Sequence, residues 1–167
     1  MKVLKYFAIL SLVTLLFSSC ETYDDVKVDY SPVYPLCGEW MVSVTDVAAN
    51  KVVVPLAVLL TYNTQDNSTS QMWVRLNPTV KALQIRGKVS CSVANKSFDI
   101  AAGESNLVAA NPNFVVTEGK VSIGTFTTTA SKTKTDEISF KITTTLGGST
   151  VYLVKGYRRT MWPEDEP

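Results

Sequence analysis

The chain has 167 residues, with 16 basic side chains, 15 acidic side chains and no histidine. This near-neutral balance lacks the basic stripe of nucleic-acid-binding proteins, so we expect no nucleic-acid partner. Without histidine the chain cannot by itself form a Ser-His-Asp triad, a Cys-His pair or a histidine-ligated metal site. We therefore expect no metal and no cofactor.

Residues 1–19 have the pattern of an export signal. Lys2 and Lys5 precede an apolar stretch at residues 6–17 that is too short for a stop-transfer helix. The segment Phe17-Ser18-Ser19-Cys20 resembles a bacterial lipobox, which implies cleavage before Cys20 and lipidation of that residue. Acyl chains there would anchor the protein to a membrane, because each buried CH₂ contributes about 0.8 kcal/mol. The alternative is an ordinary secretory signal with an incidental cysteine.

The remaining chain is long enough for one domain with a hydrophobic core. We predict an acidic flexible tether at residues 20–35, a barrel at residues 36–162 and an acidic tail at residues 163–167. The tether carries four acids and two prolines, so little of it should be buried. Its acids resemble the surface-export signal of Bacteroidetes lipoproteins, and the alternative is a solvated spacer.

From Gly38 onward, apolar and polar residues alternate with the period of a half-buried strand. Turn signals such as Asp66-Asn67-Ser68 and Gly147-Gly148 separate the alternating segments. We interpret residues 101–119 as a long loop or lid with one short helical turn. The predicted strands are residues 38–46, 52–64, 71–76, 83–93, 97–100, 120–129, 136–146 and 150–160.

This pattern predicts an all-β protein with a single eight-stranded antiparallel up-and-down barrel. A sheet of that length usually closes, because closure removes its exposed edges. Eight strands enclose just enough space for side chains or for one small ligand.

Gly38-x-Trp40 and an arginine in the last strand together resemble the lipocalin and calycin pattern. In that pattern a tryptophan closes one end of the barrel and a basic side chain stacks across its indole. Arg158 is the preferred partner of Trp40, and Arg159 is the alternative. Gly38 would let another backbone segment approach closely.

A second resemblance covers the whole chain. The lipobox, the acidic tether, Gly38-Glu39-Trp40, the closing segment at residues 156–160 and the acidic tail are similar to those of small lipoproteins of Bacteroides and relatives, the lipid-binding putative hydrolases. The resemblance implies a lipocalin-like, lipid-binding barrel in the cell envelope, anchored at the outer membrane and facing the periplasm or the surface. We find no residues that support hydrolysis, so we expect no enzyme and name no catalytic residue. A Ser-Lys pair stays formally open.

Candidate ligand-binding residues are apolar side chains predicted to face the barrel interior, with a basic group at the rim for an acidic head group. They are Trp40, Val42, Met72, Ile85, Val89, Phe140, Ile142 and Tyr152, with Arg86 or Lys88 at the rim. The alternative is that these side chains fill the barrel, which would then act as a surface interaction module for an envelope protein or a glycan. An outward Trp73 would suit that role.

Two cysteines follow Cys20. Cys37 and Cys91 would form a disulfide, which is possible outside the cytoplasm, or would be two small buried side chains.

Overall fold

Eight antiparallel strands form a closed barrel in chain order, so the predicted fold class is confirmed. The computed structural model describes residues 27–104, 106–108, 111–144 and 150–166. The predicted export signal, the lipidation at Cys20 and the Gly147-Gly148 turn lie outside these residues. The strands are β1 (Gly38–Asp46), β2 (Lys51–Asn63), β3 (Gln71–Asn77), β4 (Ile85–Ser92), β5 (Ser97–Glu104), β6 (Phe114–Thr127), β7 (Lys134–Thr144) and β8 (Thr150–Arg158).

Pairing of the first and last strands closes the barrel. Trp40 lies opposite Leu59 of β2 on one side and opposite Arg158 of β8 on the other. Gly156 lies opposite Val42, and a Cβ atom at Gly156 would come within 1.9 Å of the Met41 carbonyl oxygen. Only glycine fits at this contact between β1 and β8.

The prediction of a long loop at residues 101–119 is wrong. β5 continues to Glu104, and β6 begins at Phe114, where it pairs with both β5 and β7. Two irregularities in the β6–β7 register fall at Glu118 and Gly124, both with positive φ. Such bulges shift the inward-facing positions by one residue, which hides the strand period from a sequence analysis.

The core lies inside the barrel. Alternate residues of each strand point inward, as the period of two requires. The largest fully buried side chains include Trp40, Phe98, Phe114, Phe140, Leu59, Met72, Leu76, Ile85, Ile138 and Ile142.

A 3₁₀ turn at Tyr34–Leu36 lies where β1 begins and β8 ends, which we call the lower end of the barrel. Val33 and Leu36 on either side of Pro35 are completely buried in the core. The segment from Val33 to Pro35 therefore belongs to the barrel, although its acidic and proline-rich context places it in the predicted tether.

The acidic tail also folds against the lower end, with a 3₁₀ turn at Pro163–Asp165. Asp165 accepts hydrogen bonds from Ser131 in the β6–β7 turn, and Glu166 pairs with Arg159. Within the described ranges, no helix has the length and apolar character needed to cross a membrane.

Candidate functional site

Trp40 closes the lower end of the barrel. Its side chain is completely buried, and its indole N–H donates to the Thr61 hydroxyl at 2.9 Å. That hydroxyl donates in turn to the Leu36 carbonyl oxygen at 2.7 Å. A buried indole N–H needs such a partner, and here the partner also ties the 3₁₀ turn to β2.

Arg158 covers the indole. Its guanidinium carbon lies 4.4 Å from the centroid of the Trp40 ring. The same guanidinium binds Asp136 at 2.9 Å and donates to the carbonyl oxygens of Cys37 and Pro35. Of the two arginines that the sequence offers, Arg158 holds this place, while Arg159 points to the opposite face of β8.

Gly38 leaves the space that the guanidinium occupies. A Cβ atom at residue 38 would lie 2.4 Å from Nη1 of Arg158 and 3.1 Å from its guanidinium carbon. The prediction that another backbone segment lies close to this glycine is wrong, because a side chain occupies the space instead. The Gly-x-Trp spacing thus puts the indole and the gap for its cation on the same side of β1.

Seven of the predicted ligand-binding side chains meet inside the barrel. Each of them has at most 1 % of its surface accessible, and they are Trp40, Val42, Met72, Ile85, Val89, Phe140 and Ile142. A void large enough for a water molecule would leave accessible surface on its walls. The interior is therefore filled at these residues, with Phe140 packed edge-on against Phe98.

The other two predicted residues are not fully buried. Tyr152 is half-buried at the opposite, upper end of the barrel, where it packs against the core and pairs with Ile142. Arg86 is exposed on the outer face of β4, and its guanidinium carbon lies 6.0 Å from the centroid of the Trp73 ring. Arg86 therefore belongs to the outer surface and not to the interior. Their roles in ligand binding stay predictions.

Strands β4 and β5 pair with each other over only a short part of their length. Pairing of these strands is limited to Ser90–Ser92 opposite Ser97–Asp99. Nearer the upper end, the side chain of Asn106 takes the place of a strand partner. It accepts a hydrogen bond from the Arg86 backbone N–H at 3.1 Å and donates to the Gln84 carbonyl oxygen at 3.0 Å.

Asn111 also bonds to backbone groups just before β4, where a strand partner is absent. Its amide donates to the carbonyl oxygens of Lys81 and Gln84, each at 2.8 Å. The Leu107 backbone N–H donates to the Arg86 carbonyl oxygen at 2.9 Å. A short segment held by two asparagine side chains therefore covers the part of the wall that contains Ile85.

Both described cysteine thiols are free. Burial, followed by the neighbouring Cys91, raises the pKa of the Cys37 thiol to about 11, and Arg158 opposes this only in part. Burial also raises the pKa of Cys91. Only the thiolate is nucleophilic, so neither cysteine is a reactive nucleophile at neutral pH.

A polar cluster surrounds Asp165. Its carboxylate accepts hydrogen bonds from the Ser131 hydroxyl at 2.6 Å and from the Thr160 hydroxyl at 2.7 Å. Desolvation raises the pKa of Asp165, but hydrogen bonds from Ser131, Thr160 and Thr128 outweigh it and lower the pKa to about 2. So acidic a carboxyl is a weak base that cannot activate a serine hydroxyl at neutral pH. The cluster fixes the tail to the β6–β7 turn.

Among the residues that the structure describes, no three His, Cys, Asp or Glu side chains converge in a way that could hold a metal ion. Sequence reasoning missed Thr61 and Asn106. Thr61 had a visible signal, because it is a polar residue at an inward position of a strongly apolar strand. Asn106 had no such signal, because its role depends on the point at which the pairing between β4 and β5 ends.

The closed barrel, its apolar interior and its arginine-covered tryptophan define a small antiparallel β-barrel protein with a hydrophobic core. The chain belongs to the family described as lipid-binding putative hydrolase, whose sequence profile matches residues 25–163. The match spans all eight strands and the 3₁₀ turn at Tyr34–Leu36, and it ends at Pro163, where the second 3₁₀ turn begins. Among curated proteins, no relative matches the chain.

Proposed function

We propose that this protein is a lipid-anchored lipoprotein of the cell envelope, held at the outer membrane through Cys20, whose barrel binds a small hydrophobic or lipid ligand. The observation that carries the ligand-binding part is the match of a lipid-binding family to residues 25–163, the same residues that build a barrel with an apolar interior. The lipobox resemblance supports the anchor.

A ligand would have to displace interior side chains, because those of the seven buried candidates leave no space for water. Met72 is suited to move, since an unbranched thioether side chain repacks easily. We propose that the ligand passes between β4 and β5. There the side chains of Asn106 and Asn111 take the place of strand pairing. Breaking their few hydrogen bonds would leave the backbone hydrogen bonds between paired strands intact.

Native mass spectrometry of the full protein, purified from the cells that make it, tests both parts together. A bound lipid appears as added mass that denaturation removes and organic extraction recovers. Acylation of Cys20 appears as added mass that survives denaturation. An unliganded mass with no uptake from an envelope lipid extract would contradict the ligand, and an unmodified Cys20 would contradict the anchor.

We further propose that the protein has no hydrolase activity, whatever the family description says. The chain has no histidine, and the carboxylate nearest a serine hydroxyl, that of Asp165, is too acidic to act as a base. An ester-hydrolysis assay with activated acyl esters tests this proposal. Turnover that Ser131→Ala abolishes would overturn it.

The second candidate function is a surface interaction module for an envelope protein or a glycan. The observation in its favour is the filled interior, which leaves the outer face as the available surface. This function predicts a protein that carries no lipid ligand and still binds an envelope partner.

A further inference from the structure

A row of three side chains crosses the outer face of the barrel on β2, β3 and β4. Trp73 lies directly opposite Tyr62 on one side and Lys88 on the other. The Tyr62 and Trp73 rings stack with their centroids 6.3 Å apart, and Nζ of Lys88 lies 5.4 Å from the Trp73 centroid. Both aromatic rings are half-buried, so the row forms a fixed flat platform.

The next row adds two more cations. Arg75 lies directly opposite Arg86, and the guanidinium carbon of Arg86 is 6.0 Å from the Trp73 centroid. Like charges directly opposite in a ladder are destabilising. Within the part of the chain that the structure describes, neither arginine nor Lys88 forms a salt bridge. The Lys88 charge contributes to lowering the pKa of Asp66 nearby, but three basic groups stand against this one carboxylate, so the face keeps an excess of positive charge for an anion from outside the barrel.

Two members of the first row, Trp73 and Lys88, line a cleft of about 560 Å³ together with Gln65 and Asp66. Ligand sites typically have volumes of about 300–1,000 Å³. The other two lining residues, Asp66 and Gln65, bring a carboxylate and an amide to the cleft, which offer hydrogen-bond groups for hydroxyls. A hydrogen bond from Thr64, above all, lowers the pKa of Asp66, which stays ionised at neutral pH.

We propose that this cleft binds an acidic sugar, a pyranose unit that carries a carboxylate. The apolar C–H face of the ring packs on Trp73, the sugar carboxylate binds Lys88 and Arg86, and Asp66 and Gln65 bind the hydroxyls. This proposal develops the surface-module function and does not depend on a lipid inside the barrel.

An anionic membrane surface fits this cleft less well than a sugar. The Trp73 ring is half-buried, whereas aromatic side chains that insert into a bilayer protrude. Asp66 in the lining offers a hydrogen-bond acceptor for sugar hydroxyls.

Titration of the full protein with trigalacturonate, followed by calorimetry and by tryptophan fluorescence, tests the proposal. The neutral control ligand is galactotriose. Trp73→Ala should weaken trigalacturonate binding by about tenfold or more, which corresponds to about 1.4 kcal/mol. Trp162→Ala is the matched control, because Trp162 is exposed and lies away from the cleft. Affinity should fall with added salt, since the charges are solvent-exposed.

The charged half of the site has its own variants. Lys88→Gln and Arg86→Gln should reduce the preference for trigalacturonate over galactotriose. Both side chains are exposed, so these variants should fold even if Trp73→Ala does not. No trigalacturonate binding, or equal affinity for the neutral sugar, would overturn the proposal. Binding to anionic lipid vesicles that Trp73→Ala removes, without sugar binding, would assign the face to a membrane instead. The lipid content found by native mass spectrometry, whether a lipid is bound or absent, should be the same in every variant, which separates this test from that of the ligand-binding function.

Discussion

Replacing Arg158 by methionine should destabilise the lower end of the barrel more than any other single charge removal on the described strands. Methionine keeps an apolar stem over Trp40 but has no charge and no donors. The variant loses the contact with the indole, the pair with Asp136 and two hydrogen bonds to backbone carbonyls.

The expected loss follows from these contacts. A partly desolvated cation–π contact contributes about 1 kcal/mol. A hydrogen bond from a charged donor contributes about 1.5 kcal/mol at the lower end of its range, and Arg158 makes two to carbonyl oxygens. The Asp136 pair adds little, about 0–1 kcal/mol, because the Arg158 side chain is a quarter exposed and water screens the pair. Packing of the methionine stem offsets part of this sum, so we expect a loss of about 3 kcal/mol.

Chemical denaturation, monitored by circular dichroism, measures the free energy of unfolding. Arg159→Met is the matched control, since Arg159 is the next residue in the chain and pairs with Glu39 and Glu166 on the outer face. Arg159→Met should cause a clearly smaller loss. A double-mutant cycle between Arg158→Met and Trp40→Leu should give a coupling energy of about 1 kcal/mol. Equal losses for the two arginine variants, or no coupling to Trp40, would refute this account of how the barrel closes.

Three further predictions concern backbone space, pH and thiol reactivity. Gly156→Ala should lower the free energy of unfolding by about 3 kcal/mol or more, or prevent folding, because its Cβ atom would overlap the Met41 carbonyl. Gly124→Ala should lower it by only about 1 kcal/mol, because the cost there comes only from the positive φ. Denaturation curves of the two variants test this difference. Because the folded-state pKa of Asp165 is depressed to about 2, its contribution to stability is fully present above its unfolded value near 3.8 and is lost as the pH falls through about 2. The protection of the tail amides against hydrogen exchange, taken relative to their intrinsic rates at each pH, should fall across that window in the wild type and not in Asp165→Asn. Cys37 and Cys91 should resist thiol reagents at neutral pH in the native protein and react at once after unfolding; rapid native labelling would contradict their raised pKa values.

The fold was predictable because most strands keep a strict period of two. β4 is the clearest example: Ile85, Gly87 and Val89 point inward, while Arg86 and Lys88 point outward, as the alternation requires. β6 was predicted poorly, since its bulges at Glu118 and Gly124 break the alternation over half its length. Prediction therefore failed where the strand geometry itself is irregular.

The site shows a similar division. Gly38, Trp40 and Arg158 could be selected from the sequence, because a barrel closes only between its first and last strands, and these residues stand at that seam. The space beside Gly38, by contrast, is filled by the guanidinium of Arg158 and not by backbone. Spacing along one strand cannot reveal which atom of another strand reaches it.

The sequence by itself determined the class of fold, the inward and outward faces of most strands, and the aromatic and basic residues that meet at the closing seam. These are local properties, set by the alternation of side chains along each strand. Tertiary structure alone decided that the interior is filled at the seven buried candidate residues, that Val33 and the acidic tail belong to the barrel, that Asn106 replaces a strand partner, and that Arg86 and Lys88 lie near the Trp73 ring. Each of these depends on register and on distances between residues far apart in the chain, which are fixed only when all eight strands pair.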